Sequence, residues 1–166
     1  VVVLSETQIT KEYFNIIGGY PSSKIIHELS EYNGEEQVCI ACTQLDVNHD
    51  NVQYSEREKK YILKEWINFL STKTKALKGL HFNSRVPQAL FDAACCQEKL
   101  EELRFKWGSY SNLSALENLD KLKFLYLGQG SSVQDITVIG KLKSLVVLHI
   151  DLSFPIISTK NPWVSR

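Results

Sequence analysis

Four cysteines are the residues in this 166-residue chain whose type and spacing most readily suggest chemistry. They stand as Cys39-x-x-Cys42 and Cys95-Cys96, so a redox pair, a zinc site or two disulfides are the chemistries to weigh. A redox C-x-x-C sits where a strand meets a helix N-terminus that lowers the thiol pKa, whereas Val38-Cys39-Ile40-Ala41-Cys42 reads as the interior of a strand. Residues three apart on a strand point to opposite faces and cannot both grip one metal. Cys95 and Cys96 are adjacent and lack the two-residue gap of a zinc knuckle. The four are therefore expected to be small buried hydrophobes, with metal or redox chemistry as the alternative.

Other candidate chemistry is weaker. Asp46-Val47-Asn48-His49-Asp50 begins like a calcium loop, but the later positions bring Asn51 for the glycine, Gln53 for an aliphatic and Arg57 for the bidentate glutamate. A polar connection between elements explains it. His27, His49, His81 and His149 have no Ser or Cys partner in local sequence and form no H-E-x-x-H. Gly128-x-Gly130 is too short for a phosphate loop, and the pairs Glu35-Glu36 and Glu101-Glu102 lie in charged stretches expected to be solvated. Asn112-Leu113-Ser114 fits the glycosylation sequon, which matters only in a secreted chain. The expectation is a protein that is not an enzyme and has no catalytic residues, no metal and no cofactor.

The elements that would position any site follow from composition and pattern. Nineteen Lys plus Arg balance 19 Asp plus Glu, and 43% of the residues are hydrophobic, as in a chain that folds around a core. The neutral total gives no general pull on a phosphate backbone, so nucleic acid is not an expected partner. Apolar runs such as Val1 to Leu4 and Leu145 to Leu148 fall far short of a bilayer span, so no membrane insertion is expected. The chain has no Met, which suggests a processed start or a piece of something longer. Charge divides unevenly: residues 1–71 carry 6 basic and 11 acidic side chains, a net −5, and residues 72–166 carry 13 and 8, a net +5. The polar stretch Ser71-Thr72-Lys73-Thr74-Lys75 separates the two parts.

Beyond it the sequence is periodic. Leu77-x-x-Leu80-x-Phe82, Leu100-x-x-Leu103-x-Phe105, Leu122-x-x-Leu125-x-Leu127 and Leu145-x-x-Leu148-x-Ile150 recur at intervals of 23, 22 and 23 residues. A step of three leads into the later frames, through Leu113, Leu116 and Leu119 and through Ile136, Ile139 and Leu142; the first interval keeps only Leu90 and Ala94 of it. On these residues, 77 to about 154 resembles the leucine-rich repeats, most nearly the short kind found in internalins and in the leucine-rich regulatory subunit of a protein phosphatase. The resemblance implies an α/β solenoid with a short parallel sheet, and a protein-interaction role. In each frame the alternating segment suits a strand with one buried face, and the step of three suits a 3₁₀ or helical return. No single repeat buries enough to fold alone, so the stack needs capping.

Residues 1–71 read as an irregular N-terminal cap region ahead of repeats over 72–166. A helix is predicted over about 55–70, with Ser55 as N-cap and Glu58 three residues on, and a shorter one over about 10–17 that stops at Gly18-Gly19. Ile25 and Ile26 are candidates for a strand. Cys42-x-x-Leu45-x-Val47 matches the repeat frame loosely and is predicted as a strand of an irregular first repeat. The position that usually holds Asn in such repeats is Arg85, Gly108, Gly130 and Ser153 here, so those turns must satisfy their backbone groups otherwise.

The register then identifies the inner sheet face. His81, Arg104, Tyr126 and His149 form one outward column, Gly79, Glu102, Phe124 and Val147 another, and Asn83, Lys106, Gly128 and Asp151 a third. Trp107 follows one position later. Arg104, Lys106, Trp107, Phe124, Tyr126 and His149 are the expected partner-binding residues, since Trp, Tyr and Arg carry much of the binding energy at interfaces. The partner is expected to be a protein and, against the basic half, could be acidic; the sequence leaves the oligomeric state open. The rival readings are a metal or redox protein using the four cysteines, and a structural segment of a larger receptor or adhesin. Thiols without clear disulfide spacing and the lack of a visible secretory signal favour a cytoplasmic setting, with a secreted or surface one if a signal was removed.

Overall fold

The structure, a computed structural model, describes residues 24–48, 52–72, 77–130 and 133–151. Six strands form one open, all-parallel sheet in chain order: β1 (Ile25–Ile26), β2 (Gln37–Ile40), β3 (Gly79–Phe82), β4 (Glu102–Gly108), β5 (Phe124–Gly130) and β6 (Val147–Ile150). Three α-helices accompany them, α1 (Leu45–Asn48), α2 (Glu56–Ser71) and α3 (Gln88–Ala94). Parallel neighbours require a crossover between them. α2 supplies it from β2 to β3 and α3 from β3 to β4, while 3₁₀ turns at Ser114–Asn118 and Thr137–Lys141 serve the last two connections. The step-of-three segments are thus the 3₁₀ returns. The helix expected over about 10–17 lies outside the described residues.

The pairing is regular. Leu80, Leu103, Leu125 and Leu148 are register partners, as are Phe82, Phe105, Leu127 and Ile150. On β2 the same two columns hold Val38 and Ile40. That corrects the first-layer prediction: the strand is Gln37–Ile40, Cys42 lies just beyond it, and Leu45–Asn48 is helical. In the β2 layer Glu35 stands where Leu77, Leu100 and Leu122 stand in later ones, so the frame lacks its first leucine. The looser match downstream then took its place.

The two Leu/Phe columns face the core. Val38, Ile40, Leu80, Phe82, Leu103, Phe105, Leu125 and Leu127 join one buried cluster with Ile62, Trp66 and Leu70 of α2 and with Leu90, Phe91, Ala93 and Ala94 of α3. Ile62, Trp66 and Leu70 recur every four residues, which makes one face of α2 apolar. Ser55 caps this helix, its side chain accepting from the Glu58 N–H while the Glu58 carboxylate accepts from the Ser55 N–H at 2.7 Å. At the other end buried Gln97 donates to the carbonyls of Leu70, in the last turn of α2, and of Thr72, its C-cap, so both are satisfied from α3's side of the chain. Ring stacking ties the layers: Phe82 on Phe105 at 5.2 Å and Phe91 on Tyr110 at 4.9 Å.

The turns after the strands use several partners. Arg85 N–H donates to the Gln44 side chain at 3.1 Å, Val86 N–H to the Trp107 carbonyl at 3.1 Å, and the Tyr110 hydroxyl to the Gly128 carbonyl at 2.8 Å. Gly128 has no room for a side chain, since a Cβ there would lie 1.8 Å from the Lys106 carbonyl oxygen. At the strands' leading ends, a backbone ladder runs from Glu36 through Lys78, Glu101 and Lys123 to Val146. Its side chains alternate in charge, with Lys78–Glu36 at 2.8 Å and Lys123–Glu101 at 2.6 Å.

Candidate functional site

The sheet face turned away from the helices holds the other alternating residues. Cys39, His81, Arg104, Tyr126 and His149 form one row across β2 to β6, and Gln37, Gly79, Glu102, Phe124 and Val147 the next. Cys39, Phe124 and Val147 are buried, yet none belongs to the core cluster on the helical side. The chain therefore buries side chains on both faces of its sheet.

At the centre stands Glu102. Its Oε1 lies 3.0 Å from His81 Nε2 and 2.8 Å from Arg104 Nε. The Glu102 side chain is 16% exposed, so the expectation of a solvated carboxylate pair holds for neither its position nor its role. Burial opposes its ionisation, but the His81 ring and the Arg104 guanidinium outweigh that, and its carboxyl sits below the ordinary range. Burial likewise pulls Arg104 down against the raising influence of Glu102; a guanidinium remains cationic nonetheless. The same guanidinium lies 4.6 Å over the Phe124 ring, a cation–π contact that spans the two rows. Phe124 is 2% exposed, so this aromatic serves as the floor beneath Arg104 and not as an exposed contact.

Beside it, Tyr126 and His149 stack with centroids 4.7 Å apart and an interplanar angle of 24°, and both stay half-buried. Lys106 is exposed two residues beyond Arg104 on β4. Trp107 is placed differently. β4 continues unbroken to Gly108, and alternation puts Trp107 on the side of Leu103 and Phe105, opposite Arg104. It is half-buried and outside the core cluster. Arg104, Phe124, Tyr126 and His149 thus come together on one face with Lys106 at its margin. Counting the frame placed Trp107 with them; counting strand parity separates it. His81 and Glu102 were visible in their columns but were not selected, although a carboxylate diagonal to an imidazole on the next strand and two residues from a guanidinium on its own was the available signal.

The cysteines are all free thiols, three buried and Cys96 half-buried. Burial pushes Cys39 up to about 11 against the opposing charges of Arg104 and Lys106, and Cys42 up to about 12. Burial also raises Cys95 well above the ordinary thiol range. Thiolate nucleophiles and metal ligands need the opposite shift. Among the described residues no group of three or more His, Cys, Asp or Glu side chains is placed to hold a metal ion. Among them, too, no helix is long and apolar enough to cross a membrane. Compared with protein-family models, curated proteins and solved structures, the chain matches none.

Proposed function

We propose that the chain is a non-catalytic protein-recognition module, a short leucine-rich repeat solenoid that docks a protein partner on the sheet face formed by Arg104, Lys106, Tyr126 and His149. The observation that carries this reading is the half-buried Tyr126–His149 stack beside the Arg104 guanidinium. Flat aromatic and cationic surfaces held rigid before contact lose little conformational entropy on binding, and such residues are frequent binding hot spots. Phe124 and Glu102 act from below, one as a floor and one as a tether for Arg104.

The test compares partner recovery by wild type and by a Tyr126→Ala/His149→Ala variant, with Trp107→Ala as the control on the opposite side. The double variant should weaken binding at least about tenfold, the loss of one modest hot spot, while Trp107→Ala leaves it intact. Equal recovery by a folded double variant removes this face as the docking site.

A further inference from the structure

The chain contains a single Asn-Gly pair, Asn33-Gly34, in the connection between a 3₁₀ turn at Leu29–Glu31 and β2. Neither residue belongs to a helix or strand, and both are exposed. Gly34 has φ +90°, a left-handed conformation that suits glycine, and a Cβ built on it would meet nothing within 4 Å. Among the described residues, the Gly34 N–H donates no hydrogen bond. The bonds that hold Asn33 are exposed as well: its N–H donates to Glu35 Oε2 at 2.8 Å and its Nδ2 to the Glu31 carbonyl at 3.0 Å. Exposed hydrogen bonds exchange with water at small net cost, so they restrain the turn little against slow chemistry.

We propose that Asn33 is a site of spontaneous covalent modification in the folded protein, with the Gly34 nitrogen as nucleophile and water as the only co-reactant. The lone pair of the Gly34 nitrogen attacks Asn33 Cγ, a bond forms between them, and the Cγ–Nδ2 bond breaks. The leaving nitrogen takes up the proton from the Gly34 N–H and departs as ammonia, which leaves a five-membered succinimide. Water then opens the ring. Addition at Cγ gives aspartate, and addition at the Asn33 backbone carbonyl gives isoaspartate, in which the chain runs through the former side chain. Nothing is oxidised or reduced.

Glycine favours the closure because its lack of a Cβ leaves the attacking nitrogen uncrowded. Asparagines elsewhere are worse placed. Asn48 and Asn68 belong to α1 and α2, and bulky Leu113 and Leu119 follow Asn112 and Asn118. Asn83 precedes the small Ser84, but Ser84 is 2% exposed and the Asn83 N–H donates to the Ile40 carbonyl at 2.9 Å. The product at position 33 adds a negative charge among Glu31, Glu35 and Glu36 and, as isoaspartate, lengthens the backbone just ahead of β2.

Peptide-mapping mass spectrometry tests this on the full chain aged at mildly alkaline pH, with isoaspartate detected by enzymatic methylation. Asn33 should convert at least about tenfold faster than any other described asparagine, and at a similar rate in native buffer and in urea. Gly34→Ala should slow the conversion at least about tenfold. Alanine is strained at φ +90°, so circular dichroism checks the fold of this variant and its rate is also measured in urea, where the fold plays no part. Asn33→Gln should remove the acidic species that anion exchange resolves from aged wild type. Conversion of Asn33 in urea but not in the native chain overturns the inference, as does an unchanged rate in Gly34→Ala or earlier conversion of another described asparagine in the native chain.

Discussion

At the scale of single residues, the central fact is that the chemistry-bearing side chains are held in forms suited to packing and contact. The cysteines show this directly. Three thiols are buried and shifted upward, and only Cys96 is half-buried. With Ellman's reagent near pH 8, about half a unit below an ordinary thiol pKa, one thiol, Cys96, should react quickly in the native protein and four in denaturant. A second fast thiol would place Cys39, Cys42 or Cys95 in a more open or more polar setting than the one described. Glu102 makes a second prediction. Its folded pKa lies below its unfolded one, so its stabilising contribution is complete above the unfolded value of about 4.3 and is lost as pH falls through the lower folded value. Glu102→Gln should cost roughly 1–3 kcal/mol at neutral pH, less than breaking a wholly buried pair because both partners keep some solvent. Urea midpoints measured across the acid range should show the wild type and the variant converging as pH drops; a constant gap would mean that ionisation is not what Glu102 contributes. The sequence showed which residues share a row, but it could not show depth. Phe124 was legible as an inner-face residue, while its burial depends on Arg104 lying over it, a contact between neighbouring strands.

At the scale of elements, what could be read was whatever repeats. Periodic leucines located β3 to β6 and their register, because a period-two pattern with one buried face leaves little freedom to slip. The Ser55 and Glu58 pair marked the start of α2 for an equally local reason. The first layer was harder because Glu35 replaces a leucine and the connection to β3 is long enough to contain α2. Strand parity was the missed signal for Trp107. Among the described glycines, the one whose Cβ position is most fully occupied is Gly128, where β5 runs against the β4 backbone. Gly128→Ala would drive a Cβ into the Lys106 carbonyl and should cost about 3 kcal/mol or more, at the upper end of overpacking penalties. Gly79→Ala is the contrast: its Cβ would meet the flexible Gln37 side chain at 3.0 Å, and the expected cost is below about 1 kcal/mol. Thermal denaturation of the two variants checks the pair, and similar losses at both positions would contradict the backbone approach at Gly128.

At the scale of the whole molecule, the described residues form a sheet whose inner strands have a neighbour on both sides and whose end strands, among those residues, have one. Local opening should follow that order. In hydrogen exchange at low protein concentration, amides of β3, β4 and β5 should be the slowest and those of β6 markedly faster; uniform protection across the sheet would show that β6 is as well covered as the centre. The alternating ladder Glu36, Lys78, Glu101, Lys123 has a different consequence. Each exposed pair contributes little, on the order of 0.2–1 kcal/mol, but the alternation gives the stack a parity. Duplicating one layer would set Glu beside Glu or Lys beside Lys, and duplicating two in tandem would preserve the order. Genes that encode such a stack would therefore lengthen with less penalty by two layers at a time than by one.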